Sequence, residues 1–110
     1  MAKTNTELLT YITQIITDFP ITSRKMFGGL GVFSDEVMFA LIYDGILYLK
    51  STAEIANIYT TESTPFQPPL RPNTTMPYWS VPVNIIRDRR RLAEWAQQAL
   101  DYAKETKKKK

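Results

Sequence analysis

The amino-acid sequence predicts an α+β fold of two layers, an antiparallel sheet packed with helices in the order α-β-β-β-β-α-β-β-α. Three observations lead there. Apolar residues recur at helical spacing near both ends of the chain, short apolar runs punctuated by turn residues fill the stretch from Ser23 to Lys50, and Asp44-Gly45 sits between two of those runs as a hairpin signal.

Thr4 and Glu7 have capping-box spacing. Behind them Leu8, Ile12, Ile15 and Phe19, widened by Leu9 and Ile16, form an apolar helical stripe that Pro20 follows. Then the period changes. Met26-Phe27, Val32-Phe33, Val37 to Tyr43 and Ile46 to Leu49 read as a meander of four short strands bounded by Gly28-Gly29, Asp35-Glu36 and Asp44-Gly45. Ser51 and Glu54 repeat the capping spacing and predict a short helix over Ala53 to Thr60. Next comes a segment with Pro65, Pro68, Pro69, Pro72 and Pro77, so that strands here must be at an edge or interrupted; two irregular edge strands are expected, Thr74 to Ser80 being the better formed. After Pro82, Val83 to Arg87 is a turn of helix and Asp88 is the N-cap of a longer one. That helix buries Leu92, Trp95, Ala96, Ala99 and Ala103 and turns Arg90, Glu94, Gln97 and Asp101 outward. The organisation is one domain over residues 1–104 and a basic, disordered tail over 105–110.

Val37 to Tyr43 is apolar at consecutive positions, whereas a sheet with one wet face alternates. Both faces of these strands therefore want cover. Either a helix wraps to the second face, or that face forms a homodimer or an open groove.

Composition excludes much chemistry. The 110 residues contain neither Cys nor His, so disulfides, thiolate and imidazole ligands, thiol nucleophiles and imidazole bases are absent. The net charge of +3 is unevenly placed. Without Lys107 to Lys110 the body carries ten basic and eleven acidic residues, and without Arg87 to Arg91 as well it carries six against ten. Positive charge thus gathers in two C-terminal clusters on an acidic body. No run approaches the roughly 18 apolar residues of a membrane span and no signal-peptide pattern opens the chain, which reads as cytoplasmic and without membrane contact.

Gly28, Gly29 and Gly31 invite a phosphate-loop reading, but no Gly-Lys-Ser/Thr follows and no helix opens after them. They fit a strand junction where missing Cβ atoms allow a bend or a close neighbour. Arg24 and Lys25, just before, could together make a small anion site. Arg87, Arg89, Arg90 and Arg91 are dense enough for phosphate or an acidic partner, though Arg90 is spaced to pair with Glu94. Tyr78 and Trp79 suit base stacking or core packing, and a pocket lined by Phe27, Tyr48 and Trp79 would suit a small ligand. Asp35, Glu36 and Asp44 fall at turns, which supports neither a hydrolytic carboxylate pair nor a metal cage.

The segment Arg24-Lys25-Met26-Phe27-Gly28-Gly29-Leu30-Gly31-Val32-Phe33 resembles the start of the TfoX (Sxy) N-terminal domain, whose members read R-K-M-F-G-G-x-G-[LIV]-[FY]. Met38-Phe39-Ala40-Leu41-Ile42, Leu47-Tyr48-Leu49-Lys50, Pro65-Phe66, Met76-Pro77-Tyr78-Trp79-Ser80-Val81-Pro82 and the helix of Leu92, Trp95, Ala96, Ala99 and Leu100 continue it, over residues 5–103. The resemblance implies a fold similar to secretion chaperones, and no catalytic residue or cofactor. Longer members regulate natural competence as coactivators beside the cyclic-AMP receptor protein and carry a further C-terminal domain, so a single-domain member is expected here. The function expected is therefore non-enzymatic: a protein-interaction domain in competence-type transcriptional regulation, using Arg24 to Gly31 and Arg87 to Arg91. The alternatives are an accessory DNA-binding module using the C-terminal basic clusters, and a small-ligand binder.

Overall fold

Thr4 opens the first helix, α1 (Asn5–Ile15). Its hydroxyl accepts from the Glu7 backbone N–H at 3.1 Å, and the Glu7 carboxylate accepts from the Thr4 N–H at 3.1 Å, the reciprocal box that the spacing predicts. The helix ends at Ile15, short of Phe19, yet Phe19 still reaches the core and meets the Phe39 ring edge-on at 5.4 Å. In this computed structural model residues 4–26, 28–51, 65–66 and 76–108 are described. The helix expected over Ala53 to Thr60 lies outside them, as do Phe27 and the terminal Lys109 and Lys110.

Among the described residues six strands form one antiparallel sheet: β1 (Thr22–Met26), β2 (Gly29–Ser34), β3 (Val37–Tyr43), β4 (Ile46–Lys50), β5 (Pro65–Phe66) and β6 (Met76–Ser80), in spatial order β1-β2-β3-β4-β6-β5. Both predicted hairpin turns close tightly. Asp44 and Gly45 have φ of 52° and 74°, the left-handed pair that a primed turn requires, and Asp35 and Glu36 do the same at 51° and 67°. Asn5 secures the first of these, its side-chain oxygen accepting from the Gly45 N–H at 2.8 Å. Two more helices follow Pro82, the short α2 (Val83–Ile86) and the long α3 (Arg89–Lys108). α3 continues past Lys104 to Lys108, so residues 105–108, expected in a disordered tail, are helical.

The continuous apolar run in β3 has a geometric cause as well as a two-sided one. Val32 pairs with Ala40 and Phe33 with Met38, leaving Phe39 as an extra residue in β3. This bulge puts Phe39 and Ala40 in one core, where alternation alone would separate them.

That core lies between the sheet and all three described helices, joining Leu8 and Ile12 of α1, Ile85 of α2 and Leu92, Ala96 and Leu100 of α3 to Ile42, Leu47 and Leu49 of the sheet. Each large aliphatic side chain buried there contributes about 1.5–3 kcal/mol. The opposite face carries a second cluster of Leu41, Tyr48, Phe66 and Tyr78. Phe66 is its centre, 5.3 Å from the Tyr43 ring and 5.2 Å from that of Tyr48. Leu41 and Phe66 are fully buried within the single chain, so the middle of this face closes without a second copy.

One expectation about the proline segment needs correcting. β6 is inside the sheet, between β4 and β5. Pro77 is tolerated because it falls where the β5–β6 ladder breaks: Pro65 pairs with Trp79 and Phe66 with Met76, while the Pro77 carbonyl accepts from Ser51 N–H at 3.0 Å.

Candidate functional site

Two basic surfaces stand out, on different elements. The first is the corner between α2 and α3. Tight bonds make the turn: Arg87 N–H donates to the Val83 carbonyl at 3.0 Å and Asp88 N–H to that of Ile85 at 3.1 Å. Asp88 then caps α3 as its sequence position predicts, its carboxylate accepting from Arg91 N–H at 3.2 Å. The corner is also anchored from outside, since the Tyr11 hydroxyl of α1 donates to the Ile86 carbonyl at 2.6 Å and Ile85 and Leu92 are buried beneath it. All four arginines, Arg87, Arg89, Arg90 and Arg91, are exposed on this fixed base.

Only one of them is neutralised among the described residues. Arg90 meets Glu94 at 3.2 Å, the predicted pair one turn apart, worth about 0.3–0.5 kcal/mol at such exposure. Arg87, Arg89 and Arg91 form no ion pair with a described residue. The first turn of α3 holds no acidic residue, so three arginines stand where the helix dipole favours anions. Their charge adds to that of the helix end. An anionic group arriving here is attracted by both, which is what this corner can do chemically.

The second surface is the edge strand β1, where Thr22, Ser23, Arg24 and Lys25 are all exposed. Arg24 and Lys25 do not form the joint anion site that their adjacency suggests. Arg24 is paired with Gly31 and Lys25 with Leu30, neighbours on opposite faces of the sheet. Lys25 therefore lies on the helix-covered side and Arg24 on the other. There the Arg24 guanidinium sits over the Phe33 ring, 4.9 Å from its centroid. Sequence reading missed Phe33 as the support of Arg24. The signal was available only with the register, because Phe33 faces Thr22 and is diagonal to Arg24.

The glycines behave as a junction and not as a phosphate cradle. Gly28 turns with φ 81°, and a Cβ on Gly29 would run into the Ile42 carbonyl oxygen. A Cβ on Gly31 would meet the Met26 side chain at 2.7 Å. Each absence of a side chain thus lets a neighbour in.

The aromatic candidates separate as well. Tyr48 pairs with Ser80 and Leu49 with Trp79, which places Tyr48 and Tyr78 on one face and Trp79 on the other. A pocket shared by Tyr48 and Trp79 is therefore not formed, and Tyr78 and Trp79 cannot stack bases on a common platform. Phe27, the third residue of that pocket, lies outside the described residues. Burial pushes the Tyr78 phenol up to about 12 and also raises that of Tyr48, the Asp44 carboxylate adding to the latter. The described residues contain no cluster of three or more acidic side chains that could hold a metal ion, and no described helix is long and apolar enough to cross a membrane.

The family model for the TfoX N-terminal domain matches residues 18–103. The "DNA transformation protein TfoX1" of Aliivibrio fischeri (strain ATCC 700601 / ES114) is 47% identical over 32 residues, which is 29% of this chain and 15% of that protein.

Proposed function

The chain belongs to the TfoX N-terminal domain family, and from that premise we propose that it is a non-enzymatic regulatory domain of the competence type, acting through protein contacts. The observation that carries the proposal is the α2–α3 corner. It presents Arg87, Arg89 and Arg91 without a described counter-ion on a base held by Tyr11 and Asp88, a surface suited to an acidic patch on a partner. The partner proposed is a transcription activator of the cyclic-AMP receptor type, and the site of action is the cytoplasm. The name of the Aliivibrio fischeri relative, a DNA transformation protein, supports the competence setting.

A second reading follows from the same charges: contact with DNA phosphates through the arginines and the terminal lysines. The two differ in salt response, because neutralised phosphates make DNA affinity fall steeply and uniformly with salt. The test uses the purified chain, a purified activator of that type and a labelled promoter fragment. The protein-contact reading expects recruitment to the activator–DNA complex, weakened at least tenfold by Arg89→Glu with Arg91→Glu. Recruitment that this double variant leaves intact would remove the corner from the proposal.

A further inference from the structure

The free edge of β1 is a second place where this fold can take a partner, and it has a different chemistry from the arginine corner. Among the described residues β1 pairs on one side only, with β2, and no helix covers its exposed Thr22 to Lys25. An exposed edge strand offers a ladder of backbone donors and acceptors to any extended chain laid beside it. The side chains on this edge choose among such chains. Arg24 projects to one face and Lys25 to the other, and neither has an ion pair with a described residue. Arg24 is also held in place. Its cross-strand neighbour Gly31 has no side chain to contact, and the Phe33 ring takes the guanidinium instead. The planar fork is thereby positioned while its N–H groups stay available to a carboxylate.

We infer that β1 is a strand-addition site for an extended acidic peptide carrying two adjacent carboxylate residues, one facing Arg24 and the next facing Lys25. The adjacency follows from the pleat, since consecutive residues of an added strand fall on opposite faces. A second copy of β1 fits less well. Thr22 to Met26 contains no carboxylate, and self-pairing centred on Arg24 or on Lys25 sets like charges opposite each other. The inference rests on the reading that the domain works through protein contacts, and it assigns them a site distinct from the α2–α3 corner.

The experiment is fluorescence anisotropy with the full chain and a labelled peptide Thr-Val-Glu-Glu-Val-Thr. Its companions are a Gln-Gln counterpart, a Lys-Lys counterpart and a form of the acidic peptide with backbone N-methyl groups on alternate residues. Binding of the Glu-Glu peptide is expected, at least tenfold weaker for the Gln-Gln peptide and for the N-methylated form. Arg24→Glu with Lys25→Glu should lose the Glu-Glu peptide and gain the Lys-Lys peptide, an exchange that loss of folding cannot produce. On binding, the alternate amides of Thr22 to Met26 that point away from β2 should become protected from hydrogen exchange. Binding indifferent to N-methylation would overturn strand addition. Binding lost on Arg89→Glu with Arg91→Glu, yet unmoved by the β1 reversal, would overturn the site while leaving the protein-contact reading standing. Self-association of the chain through protected β1 amides would overturn the peptide in favour of a second copy.

Discussion

The guanidinium of Arg24 rests on the ring of Phe33 with its Cζ 4.9 Å from the centroid, beside Gly31, whose missing side chain lets Met26 and Phe33 close in. Phe33 is nearly buried while Arg24 is exposed, so the ring belongs to the fold and the cation to the surface. Arg24→Ala should therefore lower stability by only about 0.5–1 kcal/mol, the range for an exposed cation over a ring. Phe33→Ala should cost about 3 kcal/mol or more, because it empties a buried site. Urea unfolding of the two variants beside the unaltered chain gives both numbers.

Gly29 and Gly31 differ in what they leave room for. Gly29→Ala drives a methyl into the Ile42 carbonyl oxygen, part of the sheet backbone, and should destabilise by about 2–4 kcal/mol. Gly31→Ala meets the flexible end of Met26 and should cost about 1 kcal/mol or less once that side chain moves aside. Thermal unfolding should rank Gly29→Ala well below Gly31→Ala.

Arginines in the first turn of α3 oppose the helix dipole, so removing them should help the fold while harming the contact. Arg91→Glu places an acid at the third position of the helix and should raise stability by about 0.5 kcal/mol at low ionic strength. Asp88→Ala should lower it by about 1 kcal/mol through loss of the cap to Arg91 N–H. The measurement is denaturant unfolding at low and high salt, where the gain from Arg91→Glu should shrink as salt rises.

Tyr78 gives the chain an alkaline limit. Burial favours the neutral phenol and lifts its pKa from 10.0 to about 12, so above pH 10 the unfolded chain releases a proton that the folded chain keeps. Stability from this group is complete below pH 10 and declines as pH rises toward 12, by about 1–2 kcal/mol. Tyr78→Phe removes the titration, so stability of the variant between pH 10 and 12 should fall less steeply than that of the unaltered chain.

Local signals carried most of the fold into the sequence. Thr4 with Glu7, Asp44 with Gly45, Asp88 as a cap and Arg90 with Glu94 each act within a few residues, and each stands where its spacing predicts. What was not legible depends on partners distant in the chain. The bulge at Phe39 exists only against Val32 and Phe33 of β2, and the interior place of β6 only against Lys50 and Phe66. The candidate site divides the same way. The exposed arginine corner was legible from composition and capping, while the parting of Arg24 from Lys25 and of Tyr48 from Trp79 needed the register.

The measurement closest to the central claim is anisotropy of a labelled promoter fragment titrated with the chain, with and without the cyclic-AMP receptor-type activator, at low and physiological salt. Recruitment that requires the activator, with binding to DNA alone weak and lost at the higher salt, is the result predicted for a domain that works through protein contacts. Tight binding to DNA alone that discriminates between sequences and survives physiological salt would contradict it.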